Sequence, residues 1–172
     1  MITRKTILPT LINYPPGKTN DIGAMGKTPD IIHTILKRSP AAIDQAKKFA
    51  YLFQGNTDAE TIQNIDQFLK KQIRYSADQT DQNILLPSAL IRTGQGDCKS
   101  YALFSFAILV ALGWENVGFE FASYDQGKTP THVYTIAQKK KHIGLMARSK
   151  RKEGHKQNPH LQKFTTLEIL RK

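Results

Sequence analysis

Cys98 is the one thiol in a chain of 172 residues. It follows Gly94-Gln-Gly-Asp97 and opens the most apolar stretch of the sequence, Tyr101-Ala-Leu-Phe-Ser-Phe-Ala-Ile-Leu-Val-Ala-Leu112, which Gly113 ends. A helix apolar nearly all round is a buried one, so this spacing predicts a central helix with the thiol in its first turn. Free N–H groups and the positive end of the macrodipole favour an anion there. Such a setting lowers a thiol pKa from about 8.5 into a range of roughly 3.5–7.5. Gly94 and Gly96 let the chain bend sharply just before it. His132 opens a stretch of period two, His132-Val-Tyr-Thr-Ile-Ala137, after Thr129-Pro-Thr131. An imidazole there that faced Cys98 would serve as the base of a nucleophilic thiol. The bland alternatives are an inert core cysteine and a surface or capping histidine. His33, His142, His155 and His160 have no comparable setting, and no Cys/His cluster has ligand spacing, so neither zinc nor another cofactor is expected. Gly23-Ala-Met-Gly26-Lys27-Thr28 resembles the end of a phosphate-binding loop but carries Asp21 where its first glycine belongs.

The elements that must position these two residues are readable from periodicity. Ser39-Pro40 has the form of an N-cap with proline at the first helical position, and Ile43, Ala46, Phe49, Ala50 and Phe53 continue at helical spacing to Gly55. Thr57 with Glu60 has the form of a capping box, followed by the stripe Ile62, Ile65, Leu69 and Ile73. Residues 74–97 read as a long connection. After Gly113, Phe119 and Phe121 alternate with Glu120 and Ala122 as a strand; His132–Ala137 is a second and Ile143–Ala147 a third. Helices followed by an antiparallel meander give an α+β class.

The net charge of +11 is uneven, with Lys139, Lys140, Lys141, Arg148, Lys150, Arg151, Lys152, Lys156 and Lys163 in the last third. This stretch suits a polyanion or nucleic acid or simply a solvated face; no aromatics interleave the lysines to stack bases. No signal peptide is apparent after Met1, and the longest apolar run is too short to span a bilayer. The expectation is a protein without a membrane partner, cytoplasmic or virion-associated. The division expected is an irregular arm over 1–38, a core over 39–147 and a basic tail over 148–172.

Gly94-Gln-Gly-Asp-Cys98-Lys-Ser-Tyr-Ala-Leu-Phe, the apolar helix to Gly113, and Pro130-Thr-His132-Val-Tyr together resemble the transglutaminase-like (papain-type cysteine) superfamily. The lead-in Ile73-Arg-Tyr75, Pro87-Ser and Ile91-Arg-Thr-Gly94 is similar to that of bacterial and phage members, and the resemblance covers about residues 57–147. It implies a papain/transglutaminase-like fold in which a helix starting at the cysteine packs on an antiparallel sheet. It also implies that Cys98 attacks an amide carbonyl of a protein or peptide substrate while His132 carries the proton. The Cys98 N–H would then be an oxyanion donor, with Gln95 a weaker side-chain candidate. The family orients its histidine with an acid on the following strand; here the expected register puts Met146 in that place, and a thioether is no substitute. Asp125 and Asp97 are the carboxylates near enough in sequence to stand in. Two readings follow: a cysteine hydrolase or acyltransferase using Cys98 and His132, or a relative without catalysis, serving as a structural or binding module in, for example, a phage assembly.

Overall fold

The computed structural model describes residues 1–14, 20–21, 27–78, 82–122, 132–139, 142–146 and 162–165. In chain order these form α1 (Arg4–Ile7), a 3-10 turn at Leu8–Leu11, β1 (Asn20–Asp21), α2 (Thr28–Ala46), a second 3-10 turn at Ala50–Phe53 and α3 (Asp58–Gln72). They continue as β2 (Arg74–Tyr75), β3 (Asn83–Ile84), α4 (Pro87–Thr93), β4 (Gln95–Gly96), α5 (Cys98–Ala111), β5 (Val117–Ala122), β6 (His132–Lys139), β7 (His142–Met146) and β8 (Gln162–Thr165). The class is α+β, as the order of periodicities requires.

α5 is the central element. It packs on α2 on one side and on β5 and β6 on the other, so it is apolar all round because it has no solvent face. Phe104 stacks on Phe49 and Phe68 at 5.9 and 5.5 Å between ring centroids. Phe106 meets Phe119 of β5 at 4.5 Å. The Thr135 hydroxyl of β6 donates to the Ala102 carbonyl at 2.6 Å, fixing the sheet against the helix.

The helix expected to begin at Ser39-Pro40 begins instead at Thr28, and Pro40 lies inside it. The apolar stripe extends N-terminal of the proline: Ile35, Leu36, Ala42, Ile43 and Ala46 are all buried along one side. Burial of that stripe outweighs the ~3 kcal/mol that an interior proline costs. Ser39 donates its hydroxyl to the Ile35 carbonyl at 2.9 Å. The proline-in-the-first-turn signature is real but belongs to Thr28-Pro29. The described residues of the expected arm over 1–38 are therefore less irregular than expected. Ile7 and Leu11 are fully buried, and the Arg4 guanidinium donates to the carbonyls of Ile91 and Arg92.

The Thr57 cap holds as expected, its hydroxyl accepting from the Glu60 N–H at 3.1 Å. The long connection contains α4, which proline starts and Gly94 ends at φ +69°. β2 runs parallel to β4, pairing Tyr75 with Gly96. The large sheet has the order β7-β6-β5-β8, so the expected three-strand meander gains a fourth strand from the C-terminal segment. Phe164 of β8 pairs with Phe119. Asp125 and most of the basic cluster, Lys140, Lys141, Arg148, Lys150, Arg151, Lys152 and Lys156, lie outside the described residues.

Candidate active site

Asp97 caps α5 through its side chain, which accepts from the N–H groups of Lys99 and Ser100 at 3.1 and 3.2 Å. An aspartate is a strong helix starter for this reason, and it fixes Cys98 as the first helical residue. Asp97 is only 3% exposed and Lys99 only 6%. A cation in the first turn opposes the helix dipole, so a buried lysine there needs carboxylates. It has two: its ammonium is bonded to Asp97 and lies 3.4 Å from Asp78. Asp78 also accepts from the Asn83 N–H at 2.6 Å, which ties the β2–β3 connection to the start of α5.

Cys98 is partly buried. The Val133 N–H of β6 and the Tyr75 hydroxyl of β2 lie close enough to the sulfur to favour its charged form. That Val133 nitrogen is bonded to the carbonyl carbon of His132, so the sheet brings the backbone at His132 to the thiol. Phe119, Phe121 and Val117 pair with Thr135, Val133 and Ala137 in register, and this set faces α5, as the Thr135 bond shows. His132 alternates with them, so its imidazole leaves the sheet on the face away from α5, shared with Tyr134 at 6.1 Å between ring centroids and with Glu120; neither Cys98 nor His132 has the other among the groups that shift it. Glu120 is 7% exposed, pairs with Tyr134 in register and accepts its hydroxyl.

The thiol is pushed up, not down as the helix start alone predicts. Burial is the main cause and the Asp97 carboxylate the next; Lys99, the Val133 N–H and the Tyr75 hydroxyl oppose them. The cap explains the difference. Asp97 takes up helix-start donors that would otherwise face a thiolate, and adds a negative charge beside it. Burial pushes Asp97 itself up, while Lys99 pulls it back. Burial holds His132 below its ordinary value. The resting pair is thus a neutral thiol and a neutral imidazole at pH 7.

Gln95 is exposed, and its amide oxygen accepts from Arg74 at 2.5 Å. The acid's place also changes. β7 pairs Met146 with Thr135 and Lys139 with His142, so position 146 is three residues out of register with His132. β7, His-Ile-Gly-Leu-Met, carries no carboxylate.

Two neighbours of the thiol were not singled out for chemistry in the sequence. Tyr75 is half-exposed; its hydroxyl lies close to the Cys98 sulfur and backbone N–H, and burial followed by the charge at Cys98 pushes its pKa far up. Its ring meets Tyr101 edge-on at 5.6 Å, and the Tyr101 hydroxyl donates to the Ile73 carbonyl at 2.9 Å. Nothing periodic marks Tyr75. Lys99 did carry a signal, since a charge at the start of an otherwise apolar helix demands a partner. Among the described residues no group of three His, Cys, Asp or Glu side chains could hold a metal, and no helix is long and apolar enough to cross a membrane.

No curated protein and no solved structure matches the chain. A family model described as a transglutaminase-like domain matches residues 44–142, a span that holds α3, the capped start of α5 with Cys98, and β6 with His132. The chain belongs to the transglutaminase-like family.

Proposed function

We propose that the protein is a thiol-dependent amide hydrolase or acyltransferase, with Cys98 as nucleophile, His132 as proton acceptor, and the carbonyl of a peptide or side-chain amide as substrate. The observation that supports it best is that the N–H of Val133, the residue next to His132, lies beside the Cys98 thiol at the start of α5. Both shifts leave the thiol and the imidazole neutral at rest, and His132 starts on the sheet face away from α5, so as a general base it takes the thiol proton around the start of β6 or through one water. The test is reaction with p-nitrophenyl acetate. Cys98→Ala abolishes the nitrophenolate burst, and His132→Ala slows it by about 10²–10⁴-fold, the range of a general base. A burst unchanged by His132→Ala rules the base out.

A second reading, a binding module without catalysis, is favoured by the Asp97 charge beside a thiol already held up by burial and by the absence of an acid on β7. In that case neither variant alters a background rate, and the basic C-terminal third carries the interaction with a polyanion or a larger assembly.

A further inference from the structure

The notable feature at the thiol is the position of the Tyr75 hydroxyl, close to both the backbone N–H and the sulfur of Cys98. These two groups flank the place where the oxygen of an attacked carbonyl must sit, one atom away from the carbon that sulfur bonds. Gln95, the side-chain donor expected from the sequence, is exposed and has its amide oxygen turned to Arg74. We propose that Tyr75 is the side-chain donor of the oxyanion hole, working beside the Cys98 N–H; this rests on Cys98 being the nucleophile.

The mounting of Tyr75 suits that role. The parallel β2–β4 pairing sets Tyr75 opposite Gly96, two residues before Cys98. The Arg74 and Ser76 N–H groups donate to the Gly94 and Gly96 carbonyls at 2.8 and 2.9 Å, one on each side of it. Tyr101, one turn into α5, holds the ring edge-on and fixes the backbone just before it through the Ile73 carbonyl. The hydroxyl is thus carried on rigid backbone and aimed at the first turn of α5. A phenol held protonated is a donor at any pH near neutrality, and 47% exposure of the residue leaves room for a substrate oxygen to enter beside it.

In the step proposed, the sulfur–carbon bond forms and the carbonyl π pair moves onto oxygen, while the thiol proton passes to His132. The oxyanion accepts from the Cys98 N–H and the Tyr75 O–H. Its collapse breaks the carbon–nitrogen bond of an amide, and the proton on His132 leaves with the amine. Water then attacks the thioester by the same route and releases the acid and the thiol. With p-nitrophenyl acetate the leaving group is nitrophenolate.

The experiment compares two reactions of the same sulfur in the parent and in Tyr75→Phe, which keeps the ring against Tyr101. Acetylation by p-nitrophenyl acetate builds an oxyanion; alkylation by iodoacetamide builds none. Tyr75→Phe lowers the acetylation rate by about 10²–10³-fold, the loss seen when one oxyanion donor is removed. It changes alkylation only a few-fold. Equal loss in both reactions means that the hydroxyl acts on the sulfur alone, and faster acetylation means that it blocks the site; either overturns the proposal. Thermal melting of the variant checks the fold, and parent protein containing fluorotyrosine, a more acidic donor in place, gives a second reading. Acetylation unchanged or slowed in proportion to alkylation there also overturns it. Loss of the nucleophile reading is distinct, because Cys98→Ala then reacts as fast as the parent.

Discussion

Replacing Lys99 with Met removes a buried cation and leaves its hydrophobic stem nearly intact. Two carboxylates lose their partner, Asp97 at 3% exposure and Asp78 at 3.4 Å from the ammonium. Breaking a buried pair from one side costs about 3–5 kcal/mol. The cost has a ceiling that depends on pH, because Asp97 can take up a proton instead of staying charged. Protonating a carboxyl of ordinary pKa 3.8 costs about 5 kcal/mol at pH 7.5 and about 1.6 kcal/mol at pH 5. Asp97 is already raised in the folded protein by burial, with Lys99 opposing, so the variant raises it further. A group whose folded pKa lies above its unfolded value stabilises the fold fully below the unfolded pKa, and that stability is lost as pH rises. Urea unfolding should therefore give a loss of about 3–5 kcal/mol at pH 7.5 that shrinks below about 2 kcal/mol at pH 5. An equal loss at both pH values would refute the reasoning, since it would mean that Lys99 contributes packing and not charge. A loss under about 1 kcal/mol at pH 7.5 would mean that water reaches Asp97 and the triad is not buried.

Two further outcomes follow from the site. Alkylation of Cys98 by iodoacetamide should rise continuously from pH 6.5 through pH 9, because burial and then Asp97 hold the thiol above its ordinary 9.0; a plateau below pH 8, read by mass spectrometry, would show a depressed thiol. Met146→Asp should leave the acetylation rate within about threefold of the parent, since the register pairs position 146 with Thr135 and not with His132; a gain of tenfold, on the roughly 10⁴ scale of triad acids, would contradict that register.

How much of this was legible in the sequence differs by element, for physical reasons. α5 was readable because a segment apolar on every side admits only burial, and its start was readable from the Gly-Asp-Cys turn. β5, β6 and β7 were readable because period two survives in short strands. α2 was misplaced because Ser39-Pro40 reads locally as a helix start, whereas tertiary packing carries the apolar stripe across the proline from Thr28. β8 was missed because four residues, Gln-Lys-Phe-Thr, carry no period of their own, and their pairing with β5 is a long-range property. The candidate nucleophile and base were legible as residue types in order along the chain. Tyr75 was not, because its role depends on a parallel pairing between two-residue strands that no local pattern announces. The direction of the thiol shift was misread for a related reason. The helix start favours an anion, but the residue that creates the helix start is itself an anion.

That last point bears on how such a site would work. Asp97 is needed to begin α5 at Cys98, yet its charge makes a resting thiolate harder to form, and a neutral His132 gives no countercharge. Lys99 offsets part of this, though it is bonded to Asp97 and 3.4 Å from Asp78. The donors left over, the Cys98 N–H and the Tyr75 hydroxyl, border the place of the carbonyl oxygen as well as the sulfur. During attack the thiol proton goes to the base and negative charge builds on that oxygen, beside these two donors. A thiol held neutral at rest adds to the barrier and an oxygen met by two donors lowers it, because stabilisation counts only where it is greater in the transition state than before it. On the role proposed for Tyr75, these donors offset the raised thiol, and its hydroxyl rather than an acid on β7 is then the group whose removal separates an enzyme from a silent relative.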